Sequence, residues 1–226
     1  LEKLKNVSLK LKTNFMLVPA DVTDEYQMKD AIKSIYRKFK SVDLCILNAG
    51  IYKSVDGKKI ISKTYKEQMN TNYIGVINAL EGIVPRMVDK GNGQIMVVAS
   101  PTGWIGLPLA SAYGPTKAAL INLTQSLRYH LEPCGIKMQL VTPGFIYTES
   151  TPTNEHDLPG IISAEKAAIL IFKAISSNRF QTMIPSNFLM WTLYLIKFLP
   201  EKLVFKLIKW KTANKSSSTP SKKLSK

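Results

Sequence analysis

Short runs of β-branched and apolar residues alternate along the chain with longer stretches in which apolar residues recur at helical spacing. This alternation is typical of βαβ units, in which helices connect parallel strands and cover both faces of the sheet. It predicts an α/β fold with a mostly parallel sheet. The predicted strands lie at residues 15–18, 44–47, 95–99, 136–141 and 182–184, and the predicted helices at residues 23–39, 62–88, 111–131 and 164–175.

Positive charge is concentrated at one end of the sequence. The 226 residues contain 31 Lys and Arg against 16 Asp and Glu, which gives a net charge of +15. From residue 197 onward nine lysines accompany a single acid, Glu201, so this end carries +8 and the other residues share +7. The lysine-rich end has no aromatic interleaving and no nucleic-acid-binding motif, so we expect no nucleic-acid partner.

The cysteine content excludes a fold held together by disulfide bonds. Cys45 and Cys134 are the two cysteines, and no set of Cys and His residues has the spacing of a zinc site. This usage predicts a reducing compartment. We therefore expect a cytoplasmic protein without a metal centre.

Tyr113 and Lys117 place a phenol and an ammonium group four residues apart in a predicted helix, and hence on one helical face. A fixed cation favours phenolate over phenol, so Lys117 is expected to lower the phenol pKa toward the neutral range. Ser100 follows a predicted buried strand, where parallel sheets bind ligands. The same residues are also consistent with a solvated helix face and a turn serine.

Ser100 followed by Tyr113-x-x-x-Lys117 is one of five motifs in this sequence. The others are Asp21-Val22-Thr23-Asp24, Asn48-Ala49-Gly50, Asn72-Tyr73-Ile74-Gly75 and Pro143-Gly144-Phe145-Ile146-Tyr147-Thr148. Together they occur in the order and spacing of the short-chain dehydrogenase/reductase family, which the chain resembles from residue 1 to about residue 185, and the first motif resembles that family's catalytic segment. The agreement of all five is more specific than any single motif.

The resemblance implies a Rossmann-like doubly wound sheet and an oxidoreductase that uses NAD or NADP to interconvert a carbonyl compound and a secondary alcohol. In such an enzyme Tyr113 exchanges the proton and Ser100 binds the carbonyl oxygen. Lys117 holds the nicotinamide ribose, and Asn72 anchors a water molecule. The implied cofactor-binding residues are Asp21, Val22, Asn48, Ala49, Gly50, Tyr113, Lys117, Pro143, Gly144, Ile146 and Thr148. Trp104, Leu107 and Tyr147 are candidate walls of the substrate pocket, and a homo-oligomer is compatible with the resemblance.

Each matching residue also has a purely structural interpretation. Asn48-Ala49-Gly50 is consistent with a turn, because Asn and Gly tolerate unusual backbone angles. Asp21 or Thr23 is consistent with the cap of the following helix. Asn72 is consistent with a hydrogen-bonded polar residue of a helix. A catalytically silent, membrane-associated or scaffold protein with the family's shape is therefore the rival to an enzyme.

The sequence departs from the family at its beginning. It lacks the family's first strand, its TGxxxGxG turn and its second strand. The glycines of that turn let the backbone approach a pyrophosphate at a helix N-terminus. We therefore expect a fragment of a longer gene product, with a truly truncated protein as the alternative. In either case the dinucleotide-binding domain at 1–185 is expected to be incomplete and to bind cofactor weakly by itself.

The segment 186–210 is rich in Leu, Ile, Phe and Trp, but Pro200 and several charges make it a poor transmembrane span. It predicts two amphipathic helices. In the second, Lys202, Lys206 and Lys209 share one face, and Leu203, Leu207 and Trp210 share another. This pattern is typical of a helix at an anionic membrane surface, and is also consistent with packing on the chain's own domain or on a second subunit. Residues 211–226 are predicted to be a disordered Lys/Ser-rich tail.

Overall fold

A four-stranded parallel sheet with the order β1-β2-β3-β6 forms the centre of the molecule. The computed structural model describes residue 2, residues 13–147 and residues 160–216. The strands of this sheet are β1 (Leu44–Leu47), β2 (Gly93–Val98), β3 (Ile136–Pro143) and β6 (Gln181–Ile184). Two shorter strands, β4 (Ile146–Tyr147) and β5 (Ile162–Ser163), pair with each other. The predicted α/β class with a parallel sheet is confirmed.

Seven α-helices accompany these strands in the described part of the chain. They are α1 (Glu25–Phe39), α2 (Ser62–Met69), α3 (Gly75–Lys90), α4 (Tyr113–Leu131), α5 (Ala164–Ile175), α6 (Phe188–Ile196) and α7 (Glu201–Ser216). A π-helical segment, Asn70–Ile74, connects α2 to α3, so the single helix predicted at 62–88 contains an irregularity. A π-helical segment inside a helix is frequent at functional sites.

Both faces of the sheet are covered, which explains why β2 is apolar without alternation. Ile95 and Val97 belong to one buried cluster, whereas Met96 between them belongs to another with Ile184. All three side chains of β2 are 0% exposed. A strand that buries both faces selects apolar residues at every position.

The strand predicted at residues 15–18 is wrong, because residues 14–21 contain neither helix nor strand. Apolar residues form a strand only where a neighbouring strand completes the hydrogen-bond ladder, and β1 pairs only with β2 in the described structure. The segment is held by side chains instead, since the Lys38 ammonium donates to the Phe15 carbonyl oxygen at 3.0 Å.

Two helices follow β6, as predicted. Helix α7 continues to Ser216, so the tail predicted to be disordered from residue 211 begins with helix. A helix extends at little free-energy cost once it has formed, which explains its continuation past Trp210. Residues 217–226 lie outside the described residues. No helix in the described ranges is long and apolar enough to cross a membrane.

Candidate active site

The carboxyl ends of β1, β2 and β3 meet at one edge of the sheet because the strands are parallel and in register. Asn48 and Gly144 directly follow β1 and β3, and Ser100 lies two residues beyond β2. Open α/β sheets bind ligands at this edge, outside the carboxyl ends of the strands. The sheet therefore brings together three of the sequence motifs that are far apart along the chain.

Ser100 is both a turn residue and a neighbour of the phenol. Its Oγ accepts from the Thr102 backbone N–H at 3.3 Å and from the Thr102 hydroxyl at 3.0 Å, and it caps the short 3₁₀ turn Pro101–Gly103. A side-chain hydrogen bond also joins Ser100 to Tyr113 and lowers the pKa of that phenol. Ser100 can therefore be a turn residue and also contribute to a site together with Tyr113.

Glycines allow this turn to lie directly on α4. A Cβ added to Gly103 is 2.7 Å from the carbonyl carbon of Lys117 and 2.8 Å from the backbone nitrogen of Ala118. A Cβ added to Gly114 is 3.0 Å from the carbonyl oxygen of Thr102. The absence of side chains at both positions keeps Ser100 within reach of Tyr113, and the sequence motifs did not identify Gly103 for this role.

Replacing Gly103 with Ala is expected to lower the free energy of unfolding by about 1–3 kcal/mol, because the added methyl group meets helix backbone that cannot rotate away. Urea unfolding measures the change. Gly106→Ala is the matched control, since no described atom lies within 4 Å of a Cβ at Gly106. Equal stability of the two variants contradicts the close packing of the turn against α4.

Tyr113 begins α4 and its phenol is largely buried. The Tyr52 ring packs edge-on against the Tyr113 ring, with 5.2 Å between ring centroids. Burial raises the pKa of Tyr113 to about 12, against the opposing effect of its hydrogen bond with Ser100. Tyr113 is therefore a neutral phenol at neutral pH.

Lys117 lies one turn further along α4 and is only 3% exposed. Its Nζ donates to the Val98 carbonyl oxygen at 2.9 Å and lies 5.5 Å from the centre of the Tyr113 ring. Burial lowers the pKa of Lys117 to about 8, because a charged ammonium is disfavoured away from water. The helix thus places Tyr113 and Lys117 together as their spacing predicts.

The expected lowering of the Tyr113 pKa by Lys117 is wrong for this structure. The Tyr113 pKa is raised, and burial is the largest cause. The ammonium of Lys117 donates to the Val98 carbonyl oxygen instead, and desolvation of the phenol outweighs the lowering by its hydrogen bond with Ser100. Helical spacing predicts proximity, but it does not predict which group the ammonium binds.

Asn72 lies in the π-helical segment and is completely buried. Its Oδ1 accepts from the Ile51 N–H at 2.7 Å, and its Nδ2 donates to the Ile51 carbonyl oxygen at 3.0 Å and to Thr116 Oγ1 at 3.1 Å. Thr116 Oγ1 in turn donates to the Tyr113 carbonyl oxygen at 2.8 Å. Asn72 therefore joins the loop after β1 to α4, in agreement with its interpretation as a hydrogen-bonded polar residue. The predicted water-anchoring role stays a prediction.

Gly50 lies where the loop after β1 approaches both polar groups. A Cβ added to Gly50 is 3.3 Å from Asn72 Oδ1 and 3.7 Å from Lys117 Nζ. Asn48, Ala49 and Gly50 are all exposed. The loop thus presents small residues and bare backbone beside the buried lysine, which fits a flat ligand that passes close to the main chain.

The segment Asp21–Asp24, which we call the acidic turn, caps α1 with a residue other than the two that the sequence suggested. Asp24, and neither Asp21 nor Thr23, caps α1, since its carboxylate accepts from the backbone N–H groups of Tyr26 and Gln27. Asp21 Oδ1 accepts from the N–H and hydroxyl of Thr23 at 2.9 and 2.8 Å. Asp24 has the better geometry for the cap, because it precedes the free N–H groups of Tyr26 and Gln27 by two and three residues.

Val22 and the segment after β3 complete the set of predicted residues. The Val22 carbonyl oxygen accepts from Asn78 Nδ2 at 2.8 Å, which ties the acidic turn to α3. Pro143 ends β3, the Gly144 N–H donates to the Ile184 carbonyl oxygen at 2.7 Å, and Ile146 pairs with Ile162. Thr148 lies outside the described residues.

Helix α6 contributes contacts that the motifs did not predict. Met190 is buried beside Gly144, and its Sδ is 3.0 Å from a Cβ added to that glycine. The Tyr194 ring packs edge-on against the Trp104 ring at 5.1 Å. Of the predicted pocket walls, Trp104 therefore lies under α6, Leu107 is half-buried and Tyr147 is exposed. Met190 and Tyr194 are four residues apart and therefore lie on the same side of α6. This spacing is the sequence feature that indicates which side of the helix faces the domain.

Comparison with known proteins identifies relatives along most of the chain. A family model described as short chain dehydrogenase matches residues 1–159. The 3-oxoacyl-(acyl-carrier-protein) reductase FabG of Staphylococcus epidermidis is 32% identical over 141 residues, which are 62% of this chain and 58% of that protein. The chain spans about three fifths of the length of the curated relatives it matches.

Solved structures share the fold over a larger part of the chain. A short-chain dehydrogenase from Streptomyces avermitilis superposes with a TM-score of 0.77 at 20% identity, and the match covers 96% of this chain and 86% of that chain. ElxO, solved with NADP bound, has a TM-score of 0.70 at 26% identity and covers 81% of this chain and 83% of its own. These likenesses confirm the predicted doubly wound sheet.

Proposed function

The chain belongs to the short-chain dehydrogenase family, and on this basis we propose that it is an NAD(P)-dependent oxidoreductase that interconverts a carbonyl compound and a secondary alcohol. The observation that carries the proposal is the convergence of Ser100, Tyr113 and Lys117 at the carboxyl edge of the sheet. A hydroxyl, a neutral phenol and an ammonium placed together are a suitable set for acid–base chemistry on a carbonyl oxygen.

In the direction of reduction, Tyr113 donates its phenolic proton to the carbonyl oxygen of the substrate. Its raised pKa keeps that proton in place at neutral pH. The Ser100 hydroxyl accepts from Thr102 and directs its own proton to the same oxygen, which stabilises the charge that develops there. Lys117 lies one turn along the same face of α4, with its Nζ 5.5 Å from the centre of the Tyr113 ring, and its proposed role is to hold the ribose of the nicotinamide. In oxidation the same groups act in reverse.

The residues beside Lys117 fit the nicotinamide end of a dinucleotide. Gly50 leaves little room for a side chain beside Asn72, and its exposed neighbours Asn48 and Ala49 are small. We propose that these three residues, with Lys117 and Gly144, hold the nicotinamide and its ribose, and that Asp21 and Val22 lie toward the adenine. When bound, the nicotinamide donates or accepts the hydride. Relatives solved with NADP support the cofactor class without deciding between NAD and NADP.

We propose an apolar substrate and a cytoplasmic protein that is peripheral at a membrane. Trp104 and Tyr194 pack edge-on against each other after the Ser100 turn, and Tyr52 packs beside Tyr113. Aromatic rings around a few polar groups are typical of sites for small apolar ligands. We also propose that the protein forms a homo-oligomer, and this part of the proposal rests only on its likeness to the family.

Transfer of a labelled hydride tests the proposed function. The longest natural reading frame that contains residues 1–226 is incubated with deuterated NADH or NADPH and a series of ketones and aldehydes of increasing chain length. We expect deuterium at the carbinol carbon of the product and a preference for the longer, more apolar members. Failure to bind either dinucleotide in a calorimetric titration favours the rival, a catalytically silent protein with the family's shape.

A further inference from the structure

Helices α6 and α7 expose an unusual number of large apolar side chains for a short segment. Phe188 is 88% exposed and Trp210 is 67% exposed, values that leave most of each ring in water. The exposed apolar side chains of this segment are Phe188, Trp191, Leu195, Phe198, Leu199, Leu203, Phe205, Leu207 and Trp210. Phe205 is two residues from both Leu203 and Leu207 and so lies on the opposite side of α7. We call the other side chains of this set the C-terminal apolar face. An apolar surface of this kind marks an interaction site.

Helix α6 is docked firmly, so the exposure of its apolar residues is a property of the folded protein. Its inner side carries Met190, which is 2% exposed beside Gly144, and Tyr194, which packs on Trp104. Its outer side carries Phe188, Trp191 and Leu195, spaced by three and four residues. One side of α6 therefore belongs to the domain and the other is an apolar stripe that faces away from it.

Lysines border the apolar face on α7. Lys202, Lys206 and Lys209 are exposed and spaced by four and three residues, which places them along one side of the helix. Leu203, Leu207 and Trp210 follow each lysine by one position and form the adjacent stripe. The sequence from residue 186 to its end contains one acid, Glu201. The segment therefore combines exposed apolar area with a strong positive charge.

We propose that α6 and α7 together form a docking surface for an anionic phospholipid bilayer, with both helices lying in the plane of the membrane interface. The apolar stripes enter the headgroup boundary while the lysines bind lipid phosphates, the arrangement typical of interfacial helices. A second copy of the chain is a poorer partner for this surface, because it carries the same positive charge on this segment and lacks the charge complementarity that anionic lipid offers.

The docking surface adjoins the proposed active site, and this part of the inference rests on the proposed function. The inner side of α6 contacts Gly144 and Trp104, which follow β3 and the Ser100 turn at the carboxyl edge of the sheet. A membrane bound to the outer side of α6 therefore lies one helix diameter, about 10 Å, from residues at that edge. This geometry points to a substrate that partitions from the lipid phase.

Co-sedimentation with vesicles tests the docking surface without any assay of activity. The 226-residue chain is mixed with vesicles of phosphatidylcholine alone or of phosphatidylcholine with phosphatidylglycerol. We expect sedimentation with the anionic vesicles, and weaker binding as salt is raised. Changing Lys202, Lys206 and Lys209 to Glu is expected to weaken binding by at least about a hundredfold. The matched control changes the exposed lysines Lys58, Lys59 and Lys66 to Glu and keeps near-normal binding.

The apolar part of the surface is tested separately. Leu203→Gln, Leu207→Gln and Trp210→Gln together are expected to abolish binding, whereas the same change at three exposed apolar residues elsewhere, Ile60, Tyr129 and Ile169, preserves it. Brominated lipid is expected to quench the fluorescence of Trp191 and Trp210, and a Trp191→Phe, Trp210→Phe variant that keeps Trp104 reports little quenching. Circular dichroism checks that each variant is folded.

Three outcomes overturn the proposal. The first is absence of sedimentation with anionic vesicles. The second is binding to both kinds of vesicle that the lysine changes do not weaken. The third is a lipid-independent dimer that the Leu203, Leu207 and Trp210 changes dissociate, which assigns the apolar face to a second copy. Vesicle binding by this chain together with absence of hydride transfer by the longest natural reading frame overturns the proposed function but leaves the docking surface intact.

Discussion

Replacing Tyr113 with Phe is expected to lower kcat for carbonyl reduction by about 10²–10⁴-fold, the contribution of a positioned general acid. The change removes only the phenolic oxygen, so the ring contact with Tyr52 at 5.2 Å is retained and the helix start is preserved. Steady-state rates of NADH or NADPH oxidation, measured on the longest natural reading frame that contains residues 1–226, give the size of the loss. Binding of the dinucleotide is expected to change little, which separates the proton-transfer role from a structural one.

Tyr129→Phe is the matched control for Tyr113→Phe. Tyr129 lies on the same helix, α4, but is 82% exposed. Loss of its hydroxyl is expected to leave kcat unchanged. If Tyr113→Phe also retains full turnover, Tyr113 is not the proton donor and the mechanism proposed here is wrong.

Replacing Lys117 with Met is expected to abolish most of the activity and at the same time to stabilise the fold at neutral pH. The ammonium is 3% exposed, and burial lowers its pKa from 10.5 to about 8. A difference of this size corresponds to roughly 3 kcal/mol by which the charged form disfavours the folded state at neutral pH. Met removes the charge with similar chain length but also removes the hydrogen bond to Val98, so the expected net gain is about 1–3 kcal/mol.

The pH dependence of this gain has a defined sign. Below about pH 8 Lys117 is protonated in both states, and the full destabilisation is present. Between about pH 8 and 10.5 the unfolded chain binds one more proton than the folded protein, so the stability of the natural protein rises with pH. The advantage of Lys117→Met is therefore expected to shrink across this range. Urea unfolding at neutral and alkaline pH measures it.

Lys137→Met controls for the loss of a lysine that donates to a main-chain carbonyl oxygen. Lys137 donates to the Ile175 carbonyl oxygen at 3.1 Å but is only half-buried, near the amino end of β3. It is expected to lower stability slightly and to leave activity unchanged. A Lys117→Met protein that is less stable than the natural one at neutral pH, or that keeps full activity, contradicts the account of a buried, functional ammonium.

Elements with strong local periodicity were predictable from the sequence. The strand at 44–47 and the helix at 164–175 have the bounds predicted for them, since apolar runs and helical spacing are local signals. The strand predicted at 15–18 depended instead on a neighbouring strand. The capping residue of α1 depended on competition among three nearby polar side chains, those of Asp21, Thr23 and Asp24. Only Asp24 has the geometry to reach the free N–H groups at the start of the helix.

Asn72 shows what local patterns cannot predict. Its amide contacts Ile51 and Thr116, which are 21 and 44 residues away in the sequence. No periodicity in the segment 62–88 indicates that the helix becomes π-helical at Asn70–Ile74 and directs this side chain inward. The same limit applies to Gly103, whose need for a bare backbone arises from helix atoms that only the folded chain brings within 3 Å.

The sequence by itself determined the alternation of the four central strands with helices and the presence of Tyr113 and Lys117 on one helical face, because apolar runs and the helical period of 3.6 residues are local signals. The meeting of motifs at strand ends follows from the parallel sheet that this alternation predicts. Only the tertiary structure decided the protonation states of that pair and the direction of the lysine ammonium. It also decided that α6 buries Met190 and Tyr194 and leaves Phe188, Trp191 and Leu195 exposed. Desolvation and packing depend on residues that are distant in sequence, and a local pattern contains no information about them.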